Sequence, residues 1–495
     1  MSGVDQRLVG QNMGRHGIFI REETTAITVP VPGYSAVQVV IGTAPINMLE
    51  DPASAVNVPI LATKATEAMG DLGYCTDFEK YTLCQSMYVT GNIYRVMPVV
   101  YINVLDPAKH KKALEADEVE VDALRAVVKT AGILREGLTV TADGAPLEPV
   151  RDYTIDYDAN GYLAISLVAG GAGDGADKVS VAGSVLDPDA VTKEDIIGAY
   201  DPLTGKETGM ELIRQVYPRF GIVPSIVLAP GYSQIPEVGI ALSAKMADIN
   251  GVFKGIALLD LDTEKARKYT DCKDVKEDSG FTSEFCYPLW PCLMVGETIL
   301  AASAVVGALM AYVDASHGDV PYVSPSNKIL GVTGTCLADG TEVIMDQDQA
   351  SAVNGYGVAT AFNFNGWRLW GNYTGAYPSV LDAKDMWLPV RRMFNWQGNT
   401  FIQTYLDKVD DPMNRYLIES IVDSENIRCA AFAPSMWAGA VIEYLAEDNS
   451  DADILAGRMV FRQHIAPYTP AQEITNILSY DVSMLREALI GGGEG

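Results

Sequence analysis

The segment from Ser225 to Asp262 carries two apolar strand patterns separated by one helical pattern. The strand patterns cover Ser225–Ala229 and Gly255–Asp260, and the helical pattern places three apolar residues on one face: Val238, Leu242 and Met246. Strands that are apolar on both faces are typical of a parallel sheet buried beneath helices. The segment therefore predicts an α/β core built from strand–helix–strand units, with a buried mixed or parallel sheet.

Residues with the potential for chemistry are sparse. Sheets of this type usually bind ligands at the carboxyl ends of their strands. Here those ends are Ala229–Tyr232 and Leu261–Thr263, and neither carries a phosphate loop or a dinucleotide fingerprint. Ser324–Asn327 holds serines without the Gly-x-Ser-x-Gly elbow, and the four histidines lie far apart with no metal-ligand spacing. We therefore expect no catalytic residue, no cofactor and no metal, which favours a structural or interaction protein over an enzyme.

The charge and the apolar segments of the chain argue against further classes of protein. The chain has 495 residues, which exceeds one ordinary core, and its formal net charge of −28 argues against nucleic-acid binding. Its first ten residues lack the apolar core of a signal peptide. Leu293–Val313 is nearly long enough to span a bilayer, but it contains Glu297 and lacks basic flanks. We interpret it as a fully buried helix and expect no membrane insertion.

Seven scattered cysteines form no CxxC pair: Cys75, Cys84, Cys272, Cys286, Cys292, Cys336 and Cys429. We expect them to be mostly reduced and buried, as in a protein made in a cytoplasm. Linkage of some of them between subunits stays open at this stage.

The order of patterns predicts several domains. Residues 34–106 form a second strand–helix–strand unit, and the core resumes at 188–380. Between them, short β runs and the hairpin signal Asn160-Gly161 predict a small all-β domain inserted at 107–187. Residues 381–472 predict an α+β C-terminal domain, in which Pro434–Glu447 is expected to be helical.

Both ends of the chain carry an isolated strand pattern, Gly17–Arg21 in an N-terminal arm (residues 1–33) and Glu473–Asp481 in a C-terminal arm (residues 473–495). An isolated strand leaves its backbone N–H and C=O groups unpaired. It must therefore edge its own sheet or add to a sheet in a neighbouring copy, and the pattern alone leaves both open. Pairing between copies would be heterologous and would repeat as a ring or a helix.

Blocks of the chain resemble the tail sheath proteins of contractile phage tails and of related R-type bacteriocin particles. The blocks follow the family's order over nearly the whole chain: Gly17–Glu22, Pro32–Tyr34, Val40–Ala44, Val58–Ile60, Tyr81–Leu83, Asp195–Gly198, Thr208–Leu212, Leu228–Ser233, Leu259–Asp262, Ser324–Asn327, Arg368–Thr374 and Trp387–Arg392. Each block is modest alone, and their order is what makes the resemblance specific.

The resemblance implies a non-enzymatic subunit of a virion, assembled in the host cytoplasm. Such subunits stack as six-fold rings around a tail tube and contract from a metastable extended state. Their partners would be further copies, the tube protein, and baseplate and tail terminator proteins. The arms would supply strands to neighbouring copies through Ile18, Phe19, Ile20, Ile474, Ile477, Leu478 and Tyr480. Three basic residues in the C-terminal domain would be tube-facing candidates: Arg391, Arg392 and Lys408.

Two alternatives remain. A phage-derived R-type bacteriocin sheath would share the same physics in a different particle. An acidic cytosolic α/β hydrolase or ligand-binding protein would belong to a different class, and would be a small discrete particle instead of a tube.

Overall fold

A computed structural model describes residues 36–158 and 160–490. Its strands, in chain order, are β1 (Gln38–Gly42), β2 (Pro59–Ala62), β3 (Val99–Asn103), β4 (Lys111–Glu120), β5 (Arg125–Ala131), β6 (Thr139–Ala142), β7 (Ala145–Pro146), β8 (Tyr153–Tyr157), β9 (Tyr162–Leu167), β10 (Lys178–Leu186), β11 (Ile226–Leu228), β12 (Ile256–Asp260), β13 (Cys286–Leu289), β14 (Cys292–Val295), β15 (Thr298–Leu300), β16 (Gly334–Cys336), β17 (Thr360–Asn363), β18 (Trp367–Trp370), β19 (Trp437–Glu443) and β20 (Arg462–Pro467).

The α-helices, in chain order, are α1 (Ala65–Leu72), α2 (Leu83–Tyr88), α3 (Lys193–Ile197), α4 (Val216–Phe220), α5 (Pro236–Ala247), α6 (Cys272–Asp278), α7 (Ala302–Ala315), α8 (Gln347–Gly355), α9 (Ala383–Met386), α10 (Leu388–Tyr405), α11 (Arg415–Phe432), α12 (Asp451–Leu455) and α13 (Val482–Ile490).

The core is a six-stranded sheet in the order β13-β12-β11-β1-β3-β2. Neighbouring strands are parallel except β2, which runs antiparallel to β3 at one edge. The opening strand–helix–strand pattern is confirmed as β11, α5 and β12, and both α5 and α7 pack against β11 and β12. The residues of β1, β3 and β11 are buried on both faces, and apart from Gln38 in β1 and Asn103 in β3 these strands are correspondingly apolar.

The expectation of one buried helix over Leu293–Val313 is wrong in its first nine residues. Strands β14 and β15 pair as a hairpin through the two-residue turn Gly296–Glu297, and α7 begins only at Ala302. Gly296 has φ +62, which a glycine adopts without strain and which suits the first position of such a turn. Glu297 is therefore in a turn, not in a helix. No helix among the described residues is long and apolar enough to cross a membrane.

The region between β3 and α3 forms two further sheets, β4-β10-β6-β7 and β5-β9-β8. These sheets enclose an apolar cluster of their own, which includes Val128, Val140, Leu163, Ile165 and Val181. The acidic run after Lys111 lies along β4 with most of its side chains exposed, as a solvated strand face would.

After α11 the chain differs from the expectation of a helix over Pro434–Glu447. Trp437–Glu443 is instead the strand β19, which pairs antiparallel with β20. A bulge between Trp437 and Gly439 interrupts the two-residue alternation, so the strand pattern is hard to recognise in the sequence. The described cysteines are all free thiols, and only Cys292 is not fully buried.

Candidate intersubunit surface

The C-terminal arm is uncovered in the single chain. Every described residue from Ala471 onward is exposed. Ile474 and Leu478 are each 87% exposed, Ile477 is 84% exposed, and Tyr480 is 78% exposed. A contiguous run of uncovered apolar side chains is typical of a binding surface.

The backbone of this arm is equally unpaired. Gln472 still contacts the body of the chain, because its Nε2 donates to Tyr373 Oη at 2.9 Å. From Glu473 to Tyr480 the backbone makes no hydrogen bond to any other described residue. The predicted strand therefore does not form in one copy, since a strand needs a partner for its N–H and C=O groups.

Side-chain alternation along the arm suits one added strand. In an extended backbone, Ile474, Leu478 and Tyr480 share one face, whereas Ile477 lies on the other. The polar residues Thr475 and Ser479 lie on the face of Ile477. Addition to a sheet would therefore cover the more apolar face and leave the more polar face outward.

Among the described residues no third strand pairs with the hairpin β19–β20, which leaves the outer edge of β20 open. One face of the hairpin is fixed on α11. Trp437 Nε1 donates to the Cys429 carbonyl oxygen at 3.0 Å. The Asn426 side chain donates to the Ile442 carbonyl oxygen at 3.1 Å and accepts from its N–H at 3.0 Å.

A buried polar network adds α10 to the same unit. The Glu425 carboxylate in α11 accepts hydrogen bonds from Arg428 at 2.9 Å, from Gln397 of α10 at 2.6 Å and from Gln463 of β20 at 2.9 Å. Burial alone would raise the pKa of Glu425, but its hydrogen bond to Arg428 and that charge, with the two glutamines, lower it. The carboxylate therefore stays ionised and holds the hairpin on a rigid base.

At the carboxyl ends of β11 and β12 lies a cavity of about 500 Å³ whose lining includes Gly231, Asp260 and Asp262. Internal contacts occupy the Asp260 carboxylate. Asp260 at the end of β12 accepts from the backbone N–H of Ser303 at 2.8 Å and from Ser233 Oγ at 2.8 Å. It thus binds the first turn of α7, and burial raises its pKa. Within residues 36–158 and 160–490, no group of three or more His, Cys, Asp or Glu side chains is placed to hold a metal ion.

No protein-family model matches the chain. It is 27% identical over 497 aligned residues to the tail sheath protein of Burkholderia phage BcepMu, covering 96% of this chain and 98% of that one. It is 24% identical to the tail sheath protein of Escherichia phage P2, covering 58% of this chain and 70% of that one. The chain is a homologue of contractile tail sheath proteins.

Solved structures agree at the level of the fold. A sheath complex of an extracellular contractile injection system (PVC), in its contracted state, has a TM-score of 0.57 at 13% identity and covers 95% of this chain and 98% of that one. The contracted helical sheath of the anti-feeding prophage has a TM-score of 0.56 at 15% identity, covering 94% and 99%. The chain therefore has the mixed α/β fold of these sheath proteins.

Two of the three tube-facing candidates are inside the sheath homologue. Arg391 donates to Asp385 Oδ1 at 3.0 Å and its guanidinium lies over the Phe285 ring. Arg392 is buried and forms an ion pair with Asp314 of α7. Both charges are paired within the chain in this conformation, so it offers no support for their prediction as tube-facing residues. Lys408 is half-buried and remains a candidate.

The predicted strand residues of the N-terminal arm, Ile18, Phe19 and Ile20, lie outside the described residues. Of the hairpin β19–β20, the sequence patterns missed β19. After the bulge the burial of β19 alternates, but Ala440, Val441 and Ile442 are all apolar, so the sequence itself shows no alternation that would indicate a strand.

Proposed function

We propose that this sheath homologue polymerises as six-fold rings around a tail tube and contracts from a metastable extended state to drive the tube through a cell envelope. Full-length similarity to phage tail sheath proteins and the fold of two contracted sheaths support this proposal. Contraction would be a collective rotation and outward shift of subunits from a long arrangement to a shorter, wider one. The same assembly and contraction would apply if the particle were an R-type bacteriocin instead of a phage tail.

The observation that carries the proposal is the segment Glu473–Tyr480 of the C-terminal arm, whose apolar side chains are exposed and whose backbone makes no hydrogen bond to another described residue. Such a segment gains its hydrogen bonds when it adds to the edge of a sheet. In the proposed polymer, Ile474, Ile477, Leu478 and Tyr480 supply this strand to a neighbouring copy. The open hairpin β19–β20 is the receiving sheet that the described chain offers.

The arms would act as tethers between rings. Nine residues of extended chain span about 30 Å, so a paired arm permits subunits to shift without dissociating. The driving force per copy need not be large, because about 5.5 kcal/mol reverses a two-state balance from 1:99 to 99:1. The extended state would persist for a kinetic reason, until the baseplate releases the first ring.

The proposal includes a layout and partners. The α/β core would comprise residues 34–106 and 188–380, the inserted β domain 107–187, and the C-terminal α+β domain 381–472. The C-terminal domain would face the tube, with Lys408 the remaining candidate for a tube contact. Further partners would be the baseplate and tail terminator proteins, and assembly would take place in the host cytoplasm before the subunit becomes part of the virion.

Deletion of either arm tests the proposal. Chains lacking residues 1–22 or residues 473–495 should fold but form no tubes, because each loses one strand shared between copies. Negative-stain images show striated tubes or rings for the full chain and small particles for the deletions, and circular dichroism checks that each deletion is folded. Normal tubes from both deletions would contradict strand sharing, and small discrete particles from the full chain under all conditions would contradict the sheath function.

A further inference from the structure

The terminal helix α13 has no covered side. Its apolar residues Val482, Met484, Leu489 and Ile490 are all exposed, and it has no buried residue. A nine-residue helix is too short to be stable alone in water, so packing elsewhere is what would stabilise it. α13 directly follows the unpaired strand segment of the C-terminal arm. Wherever that segment pairs with a sheet, α13 must therefore lie at its C-terminal end.

A groove lies at one end of the hairpin β19–β20. It has a volume of about 480 Å³, and its apolar lining comes from the start of α11, the residue after β19 and α12: Met413, Ile418, Val422, Tyr444 and Ile454. Of its charged residues, Arg415 is paired with Glu419, and the other is Asp423. Tyr444 packs against Phe461, just before β20, at a ring distance of 5.6 Å. The groove is therefore beside the Glu443–Arg462 end of the hairpin.

The direction of the arm decides whether α13 meets this groove. β19 runs towards the groove and β20 runs away from it. An arm that adds antiparallel to the outer edge of β20 runs towards the groove, so that Asp481 ends beside Arg462 and α13 begins there. Antiparallel pairing is also slightly the more stable arrangement per residue.

We propose that α13 of one copy docks its apolar face into the groove lined by Met413, Ile418, Val422, Tyr444 and Ile454 on a second copy. This docking rests on the proposed strand sharing and adds a helix-in-groove contact to its end. Arg486 of α13 gives the helix a positive group to face Asp423 at the groove. The contact would lock each shared strand in one register, because a slipped strand would carry α13 past the groove.

The occupant is a second copy, because the arm turns away from its own hairpin. Tyr468 Oη donates to the Pro434 carbonyl oxygen at 2.9 Å, and Gln472 is then held on Tyr373 of the core. The arm thus leaves from the end of the hairpin opposite the groove, in contact with the core instead of β20. Folding back onto its own β20 would require breaking the Gln472 contact.

A photoreactive probe locates the docked helix. We replace Leu489 with p-benzoylphenylalanine in the full chain, assemble tubes from equal amounts of this chain and a wild-type chain labelled with ¹⁵N, and map the crosslinks by mass spectrometry. The expected crosslinks join light position 489 to heavy peptides containing 413–423, 444 or 454. The control carries the same probe at Leu203, which is 95% exposed in a loop of the core. Crosslinks within one copy, or to peptides outside the groove, would overturn the proposal.

Variants give an independent measure. Ile418→Asp, or a chain ending after Asp481, should raise the protein concentration needed for tubes at least tenfold, and Leu203→Asp should leave it unchanged. If the 473–495 deletion alone prevents tubes, while chains ending at Asp481 assemble at the wild-type concentration and position 489 gives no groove crosslink, the docking fails and strand sharing stands. Normal tubes from the 473–495 deletion would instead refute strand sharing itself.

Discussion

At the scale of single residues, a buried ion pair joins the C-terminal helices to the α/β core. Arg392 of α10 contacts Asp314 of α7 through two nitrogens, one of them at 3.1 Å. The two side chains are 4% and 0% exposed. A buried pair contributes little net stability, but losing one partner leaves a buried charge uncompensated. Arg392 can therefore stay buried only while Asp314 remains its partner.

We expect Asp314→Ala to lower the free energy of unfolding by about 3–5 kcal/mol. The double variant with Asp314→Leu and Arg392→Met should lose much less free energy of unfolding, because it leaves no charge buried. Chemical denaturation followed by tryptophan fluorescence measures both. Arg415→Ala, which breaks the exposed pair with Glu419, serves as the control and should cause no measurable change. Equal losses from the single and the joint replacement would contradict this account.

A second residue gives a pH dependence. The Lys276 ammonium is buried and donates to the carbonyl oxygens of Tyr356 and Tyr377. Burial lowers the pKa of Lys276 to about 8, against about 10.4 in an unfolded chain. Below about pH 8 the charged lysine destabilises the fold, and this destabilisation disappears as the pH rises towards about 10.4.

Between those pH values the wild type should therefore gain stability relative to Lys276→Met, by at most about 1.4 kcal/mol per pH unit. Denaturation of both proteins at several pH values gives the difference, in which the titration of other groups cancels. A difference that stays constant with pH would show that the pKa of Lys276 is the same in the folded and the unfolded chain.

At the scale of elements, the face of the arm that meets a sheet can be tested. Leu478→Asp places a charge on the apolar face shared with Ile474 and Tyr480, whereas Ser479→Asp places the same charge on the opposite face. We expect Leu478→Asp to prevent tubes at concentrations where the wild type forms them, and Ser479→Asp to permit them. Sedimentation and negative-stain images measure assembly. Equal effects of both would mean that the arm does not bind as a strand.

Strands and helices with a regular local pattern of apolar residues could be predicted from the sequence. Elements that depend on a tight turn, a bulge or a distant packing partner could not. β11, α5 and β12 followed from uninterrupted apolar runs. The hairpin β14–β15 was missed because one glycine at φ +62 divides an apolar run that otherwise suits a helix. β19 was missed because a bulge breaks its alternation. For the candidate site, the strand pattern of the arm stays a prediction, and the open edge of β20 could not be predicted because it depends on how α10, α11 and β20 pack.

At the scale of the whole molecule, the charge of −28 bears on assembly. Copies with this charge repel one another in solution, and salt screens the repulsion over about 10 Å at 0.1 M. Contacts between copies must therefore stabilise the assembly by more than this repulsion destabilises it. Backbone hydrogen bonding and burial of apolar side chains are contacts of this kind. The uncovered arm supplies both kinds of contact, which is why assembly is expected to depend on so short a segment.

The inserted β region provides the last test, because its two connections to the core lie side by side. The Asp187 N–H donates to the His110 carbonyl oxygen at 2.9 Å, and the next pair outward is Lys111 with Leu186. Replacing Lys111–Leu186 with Gly-Gly would close this point as a two-residue hairpin turn. We expect the shortened chain to fold and to form tubes, since the arm, the hairpin β19–β20 and the six-stranded sheet all remain.

Its melting temperature should fall somewhat, because Leu134 and Leu186 of the insert are buried against the core. The control removes only Tyr153–Leu167, which takes β8 and the middle strand β9 out of their sheet and uncovers the apolar cluster of the insert. We expect that chain to aggregate. Calorimetry, solubility and negative-stain images compare the two. If the clean excision aggregates like the control, the insert is an integral part of the core and the proposed boundaries at 107 and 187 are wrong.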